Sequence, residues 1–344
     1  MLKKLPFIFF LLCIFHLEAQ SQDLQYSQYY NAPLFLNPAF AGTGNNTRFI
    51  FDYRNQWPNL YNPYKTYSFS FDHRIEPINS GVGLIVRKDV QGAARLSATE
   101  IGGIYSYIVG LSQDWAFIPA IQVSWVNRSL NYQNLIFGDQ IDLNNPISPS
   151  PSNDPFAINN KMNYLDFSAG GVLFRDDFWF GVSLNHLNRP DQSFTGKNFD
   201  RVPVKTTLNL GYKIYFEKSG SKDYREKSLT PTFLYKTQGN FDQLDIGVYG
   251  IYAPIMLGFW YRGIPVKKYS REYNNHDALV FLVGINAGPI TFGYSYDLTI
   301  STLSAYSGGS HEISLIYEFY KHYKVKKIQK RLPCPSFYKR RLIN

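Results

Sequence analysis

Few side chains in this sequence have the types and spacing that catalysis needs. His311-Glu312 begins like the His-Glu-x-x-His zinc motif, but Leu315 stands where the second imidazole is required. Ser219 and Lys222 have Ser-x-x-Lys spacing, yet they sit in the charged stretch Glu217–Ser228, which reads as a solvated loop. The histidines beyond the first twenty residues are scattered, and none stands at ligand-like spacing from a cysteine or a carboxylate. No Gly-x-Ser-x-Gly elbow, phosphate-binding loop or dinucleotide fingerprint occurs. The chain is therefore expected not to be an enzyme, and no metal or cofactor is implied.

A second group of charges is more informative. Arg48, Asp52, Arg54, Asp72, Arg87, Asp166, Asp297 and Glu312 lie on or near the polar parity of segments that alternate apolar and polar residues. Charges so placed can form an internal ion-pair network that fills and stiffens a barrel. They can also line a selective pore or a peptide-binding lumen. The sequence does not say which charges pair.

The elements that would position them are strands. In Thr291–Ile300, Phe292, Tyr294, Tyr296, Leu298 and Ile300 share one face, and Thr291, Gly293, Ser295, Asp297 and Thr299 share the other. Tyr67, Phe69 and Phe71 alternate with Ser68, Ser70 and Asp72. Leu208, Leu210, Tyr212 and Ile214 alternate with Asn209, Gly211 and Lys213, and Ile313, Leu315, Tyr317 and Phe319 with Ser314 and Glu318. About fourteen strands are predicted, near 48–54, 65–75, 80–88, 95–108, 114–126, 162–174, 177–187, 202–216, 229–238, 242–252, 254–264, 278–287, 289–300 and 310–320. Many are nine to twelve residues long, enough to cross a bilayer at a tilt. A soluble sandwich would alternate too, so the connections decide. Those after even strands are mostly short (Glu76–Asn79, Val109–Gln113, Arg175–Asp176, Ala253, Gly288). Those after odd strands are mostly longer (Asn55–Tyr64, Asn127–Lys161, Asn188–Arg201, Pro265–Asp277, Ser301–Gly309). Glu217–Ser228 and Thr237–Gly239 break the rule. Short periplasmic turns and longer outer loops mark bacterial outer-membrane barrels, so the expected fold is an all-β transmembrane barrel of about fourteen antiparallel strands with a filled or plugged lumen.

Composition agrees. Hydrophobic residues make up 44%, charged residues 18% and aromatics 17%, with 27 Tyr and 27 Phe; tyrosine's apolar body and polar tip suit membrane interfaces. Residues 1–20 have the layout of a signal peptide: Lys3 and Lys4, an apolar run from Leu5 to Phe15, and a polar exit at Glu18-Ala19-Gln20. That run is about half of the roughly 20 residues a spanning helix needs, and no other apolar run approaches that length. Cys13 lies within it behind bulky Leu11 and Leu12, a poor setting for lipidation; with the signal removed, Cys334 is left without a disulfide partner. Of the net charge of +9, the last 24 residues carry +9 and the signal +1, so residues 21–320 carry −1. Nucleic-acid binding is not expected of such a body.

The expected organisation is a signal peptide over 1–20, a periplasmic N-terminal segment over 21–47, the barrel over 48–320 and a basic periplasmic tail over 321–344. The N-terminal segment, with Asn37, Pro38 and Gly42, is either a plug in or beneath the barrel mouth or a flexible arm. The tail either binds an acidic partner or lipid headgroups, or is merely solvated. Trp57 and Asn59 in one long loop, and Pro149 and Phe156 in the Pro-rich 127–161 loop, are the expected partner-contacting residues.

Several stretches, taken in order, resemble one family. They are Gln28-Tyr29-Tyr30-Asn31, Leu36-Asn37-Pro38-Ala39-Phe40-Ala41-Gly42, Tyr53-Arg54-Asn55-Gln56-Trp57, Tyr67–Asp72, Gly81–Leu84, Trp260-Tyr261-Arg262-Gly263, Gly293–Ser301 and Gly309–Leu315. The set resembles the PorP/SprF family of type IX secretion membrane proteins from Bacteroidetes, over about Ser21 to Tyr320. The resemblance implies an outer-membrane location and a role in type IX secretion and, in some members, gliding motility. It implies as partners the bilayer, other secretion components and the C-terminal signal domain of a secreted protein such as a surface adhesin. It carries over no catalytic residues. A solute pore is the alternative.

Overall fold

The computed structural model describes residues 23–44, 47–92, 95–131, 141, 160–194, 200–216, 226–268, 274–301 and 304–319. Alternation becomes strand throughout: β1 Thr47–Gln56, β2 Tyr64–Ile75, β3 Ser80–Gln91, β4 Leu96–Tyr107, β5 Ala116–Ser129, β6 Lys161–Arg175 and β7 Phe178–Asn185, followed by β8 Lys205–Tyr212, β9 Lys227–Gln238, β10 Phe241–Tyr252, β11 Ile255–Lys268, β12 Asn274–Ala287, β13 Ile290–Thr299 and β14 Ser310–Phe319. Two short pieces, Val109–Gly110 and Ile214–Tyr215, extend the hairpins beyond β4 and β8.

Every strand pairs antiparallel with its sequence neighbours, and β14 returns to β1 in register from Thr47↔Phe319 to Gln56↔Ser310. The sheet is a closed barrel of fourteen strands. With strands about 4.8 Å apart and tilted about 40°, such a ring is roughly 28 Å across, backbone to backbone. The side chains decide its solvent. Phe292 and Leu298 are 45% and 42% exposed on the outer face, while Asp297 between them is 2% exposed inside. A soluble sandwich would bury the apolar face; this barrel presents it outward, as only a lipid surrounding allows. Among the described residues no helix is long and apolar enough to cross a membrane.

Three expectations change in detail. The connection expected at Pro265–Asp277 is shorter, because β11 and β12 stay paired past irregularities at Gly263 and beyond Ile264. β7 and β8 are shorter than expected, and the chain leaves them at His186 and before Lys205. The third change concerns the N-terminal segment. It does not stay at the mouth where β14 ends. Gly42 is hydrogen-bonded to Asp72 at that mouth, but Asp23 bonds Gln238, the last residue of β9, and Lys205, the first of β8, at the other. Residues 23–44 thus run along the lumen, and Asp23 and Phe319 lie at opposite ends of the barrel. An interior this wide accommodates a whole segment, and the segment lies along its length.

Candidate functional site: the occupied lumen

Pro33 and Pro38 each open a short helix, at the first-turn position where a missing N–H costs nothing: α1 spans Pro33–Leu36, and a 3-10 turn spans Pro38–Phe40. Asn37 lies between them in extended backbone. Its Oδ1 accepts from Ala39 N at 2.9 Å, while its Nδ2 donates to Val182 O at 3.0 Å. One amide thus caps the turn and fastens it to β7. Tyr29, Tyr30, Leu34, Leu36, Ala39, Phe40 and Ala41 pack into one core with wall residues including Ile85, Ile118, Val172, Trp179 and Trp260.

Space for this segment is made by glycine. A Cβ on Gly81 would lie 2.2 Å from Ala41 O, and one on Gly170 2.1 Å from Asn37 Oδ1. Because the obstacle at Gly81 is backbone, Gly81→Leu is expected to displace residues 39–43 at a cost of about 1–3 kcal/mol. Limited proteolysis of the folded barrel reads this as new cleavage near Ala41.

The upper lumen holds the charges. Ser27 is their hub: its Oγ donates to Asp297 Oδ2 (2.5 Å) and accepts from Arg54 Nη1 (2.8 Å) and Arg262 Nη2 (3.1 Å). One donor and two acceptor sites are all a hydroxyl has, so Ser27 is saturated. Arg54 bridges Asp297 at 2.9 Å and Glu312 at 3.1 Å, and Arg262 bridges Asp297 at 2.9 Å and Asp245 at 3.2 Å. Glu312 also accepts the backbone N–H groups of Ser27 (2.8 Å) and Gln28 (2.9 Å). Below the hub, Asn31 Nδ2 donates to Gln28 Oε1 and Ser314 Oγ, both at 2.8 Å, and Trp260 Nε1 donates to Tyr29 Oη at 2.8 Å. At the lower mouth Arg48 Nε pairs with Asp72 at 2.8 Å, and Asp72 Oδ2 takes the Gly42 N–H at 3.0 Å.

Asp23 closes the upper end. It lies 2.9 Å from His186 Nε2 and 3.1 Å from Lys205 Nζ, and His186 Nδ1 lies 3.0 Å from Asp166. Burial opposes charge on His186, but the Asp23 and Asp166 carboxylates outweigh it and push its pKa up to about 10. Burial likewise opposes the Asp23 charge, and Lys205 and His186 more than offset it, holding that carboxyl well below its usual value. The stabilisation from His186 is complete below about 6.5 and lost as pH rises through about 10. Raising the pH through that window is expected to loosen the upper end, where Lys205 and Gln238 still hold Asp23, read as lower protection factors at Asp23–Ser27 after correction for base-catalysed exchange. At neutral pH the latch stays charged and closed.

All eight charges singled out in the sequence turn inward. Arg48 meets Asp72, Arg54 meets Asp297 and Glu312, Arg87 meets Glu100 at 2.5 Å, and Asp166 meets His186. Asp52 is the weakest joined: Ser68 donates to Oδ2 at 3.3 Å, and Oδ1 has no partner among the described residues. Sequence reading missed Asp245, Arg262, Glu100, His186, Asp23 and Ser27. Arg262 and Asp245 were accessible through strand parity; Ser27 had no signal. Trp57 packs on Tyr64 with ring centroids 5.5 Å apart, and its N–H donates to Gly309 O at 2.8 Å, so its backbone is tied to the 301–309 connection. Asn59 is exposed. Pro149, Phe156, the signal segment and the basic tail lie outside the described residues.

Apolar outside, ion-paired within and threaded by its own N-terminal segment, the molecule is a membrane-spanning β-barrel with an occupied lumen. The family follows from the sequence: the model of the type IX secretion system membrane protein PorP/SprF matches residues 18–317, and the chain belongs to that family. It is an outer-membrane β-barrel of type IX secretion. No curated protein matches the chain. Among solved structures it is similar to the P. putida toluene transporter TodX, with 11% identity and a TM-score of 0.45 over 85% of this chain and 95% of that one. It is also similar to CdiB from Acinetobacter baumannii, with 7% identity and a TM-score of 0.43 over 79% of this chain. The chain spans 60% of the length of CdiB. A Rh. blastica porin mutant follows, with 7% identity and a TM-score of 0.34 over 80% of this chain and 99% of that one.

Proposed function

We propose that this barrel is a non-enzymatic receptor that binds the C-terminal signal domain of an exported protein, such as a surface adhesin, and holds it at the cell surface. The observation that carries this reading is the filled lumen. Residues 23–44 occupy the interior along its length and are tied to the wall by charged hydrogen bonds at both ends. A solute channel needs a continuous watery path; a receptor needs a rigid frame that presents loops. Long connections outside and short turns in the periplasm are the rule for such barrels. On that orientation β14 ends in the periplasm, where the basic tail meets other secretion components or headgroups, and Asp23 faces outward.

The test is twofold. Purified barrel in planar bilayers is expected to stay electrically silent, whereas steady conductance at neutral pH would favour the pore. The C-terminal domains of the exported proteins from the same source, titrated against the barrel in nanodiscs, are expected to include at least one saturable binder. If none binds, the receptor reading fails.

A further inference from the structure

Among the described residues, one stretch of wall lacks a strand partner on one side. β6 runs from Lys161, but β7 ends at Asn185, and the last register pair between them is Ala169↔Leu184. The upper part of β6 is held on its other side by β5, up to Ser129↔Lys161. On the β7 side the ladder continues for one more step in disguise. Leu187 N donates to Phe167 O at 2.9 Å, and the Asn188 side chain then imitates a strand residue. Its Oδ1 accepts from Phe167 N at 3.2 Å, and its Nδ2 donates to Leu165 O at 2.7 Å. His186 and Arg189 have φ of 60° and 45°, left-handed turns that lead the chain away.

Backbone N–H and C=O groups of alternate residues point to the same side of a strand. Phe167 and Leu165 fix that side, so Asn163 and Lys161 present their backbone groups there too. The register with β7 ends at Ala169, and beyond it no backbone bond among the described residues takes the Leu165 N–H or the Asn163 backbone groups. A groove of about 730 Å³ runs beside this edge, with Lys161, Asn163 and Tyr164 on one wall and Asn188, Asp191 and Phe194 on the other. The far wall is already engaged: Pro190 O accepts from Val202 N at 2.9 Å, and Asp191 bridges to Arg201. Among the described residues, free ladder groups therefore face the groove from β6 alone. A row of alternating donors and acceptors at strand spacing is matched by one kind of ligand, a peptide in extended conformation.

We infer that the β6 edge at Lys161–Leu165 is a strand-addition site, and that its occupant is an extended segment of the exported protein's C-terminal domain. The inference rests on the receptor reading above and names where and how that domain docks. The Asn188 amide sets the register, since the incoming strand starts where its mimicry stops.

The experiment uses the full-length barrel in nanodiscs and the purified C-terminal domains described above, each fused to a fluorescent protein. Asn163→Pro removes one N–H from the groove side and leaves the β5 ladder intact, because that N–H is not part of it. Binding is expected to weaken about tenfold, the effect of one unmade interfacial hydrogen bond. Asn163→Ala, which keeps the N–H but loses the side-chain bond to Asn127, is expected to bind like the parent. In the parent complex, amide exchange at Asn163 and Leu165 is expected to slow on binding, and this readout needs no variant. A domain that binds the parent and Asn163→Pro equally, or leaves those two amides unprotected, overturns the edge assignment while the receptor reading survives. Absence of any binding domain removes both. A barrel that dimerises through this edge, and becomes monomeric on Asn163→Pro, overturns the assignment to an exported partner.

Discussion

Deleting residues 23–44 is expected to convert an electrically silent barrel into a steadily conducting one. The wall does not depend on the segment for its hydrogen-bonded ring, since all fourteen strand pairs, including β14 with β1, lie outside it. What the wall loses is filling. Arg54 and Arg262 keep Asp297, but the Ser27 hydroxyl between them goes, and Glu312 loses two N–H donors. Those vacancies are polar, and water satisfies them in the segment's place. In the middle of the lumen Trp260, Ile85, Ile118 and Val172 lose their apolar cover, which lowers stability without breaking the ring. An opening within a ring roughly 28 Å across has room for hydrated ions. Planar-bilayer recording of the deletion variant checks this. A variant that folds, as judged by heat-modifiable migration, and still stays silent would show that something other than residues 23–44 seals the barrel.

Strand faces and the partners that meet across the lumen are not equally readable from residues. Strand parity is a local property, so Thr291–Ile300 reveals its inner face without knowledge of its neighbours: Asp297 and Thr299 turn inward in the structure, and Phe292 and Leu298 outward. The short-then-long connections follow from the same locality. Partners are another matter. Arg54 and Asp297 are 243 residues apart and meet only because β14 closes on β1 beside β13. Gln28-Tyr29-Tyr30-Asn31 showed no periodicity, and its role as filling rests on two pairs of side chains: Gln28 and Asn31 meet Ser314 on β14, and Tyr29 and Tyr30 meet Trp260 on β11. Asn37, Pro38 and Gly42 marked a segment that was either a plug or a flexible arm, but gave no sign that Asn37 would cap a turn and grip β7 with one amide. The open edge of β6 was invisible too, because it depends on β7 stopping early. Length differences between neighbouring strands are set where loops begin, and boundaries are the least readable feature of a strand.

The second large effect concerns the buried charges of that network. Arg262→Met is expected to lower the stability of the folded barrel by about 3–5 kcal/mol, because it leaves buried carboxylates without their cation rather than merely deleting an attraction. Asp245 and Arg262 are 1% and 2% exposed. Among the described residues Asp245 would keep one hydrogen bond, from the Gln243 amide at 2.8 Å, and the electrostatic influence of Lys236, whereas Asp297 would retain Arg54 and Ser27. The orphaned charge is therefore Asp245 more than Asp297, and this makes a sharper expectation possible. Removing it as well, in Arg262→Met with Asp245→Leu, is expected to restore more than half of the loss, since apolar groups of similar volume replace an ion pair at little net cost. Arg262→Met with Asp297→Leu is expected to restore less, because it strips Arg54 of one partner and Ser27 of its acceptor. Urea unfolding midpoints of the parent, the two doubles and the three singles give both coupling energies, each on the order of 1–3 kcal/mol for contacting residues. Equal rescue by the two doubles would mean that the network shares its charge evenly through Ser27. Asp245 would then not depend on Arg262 as its principal counter-ion.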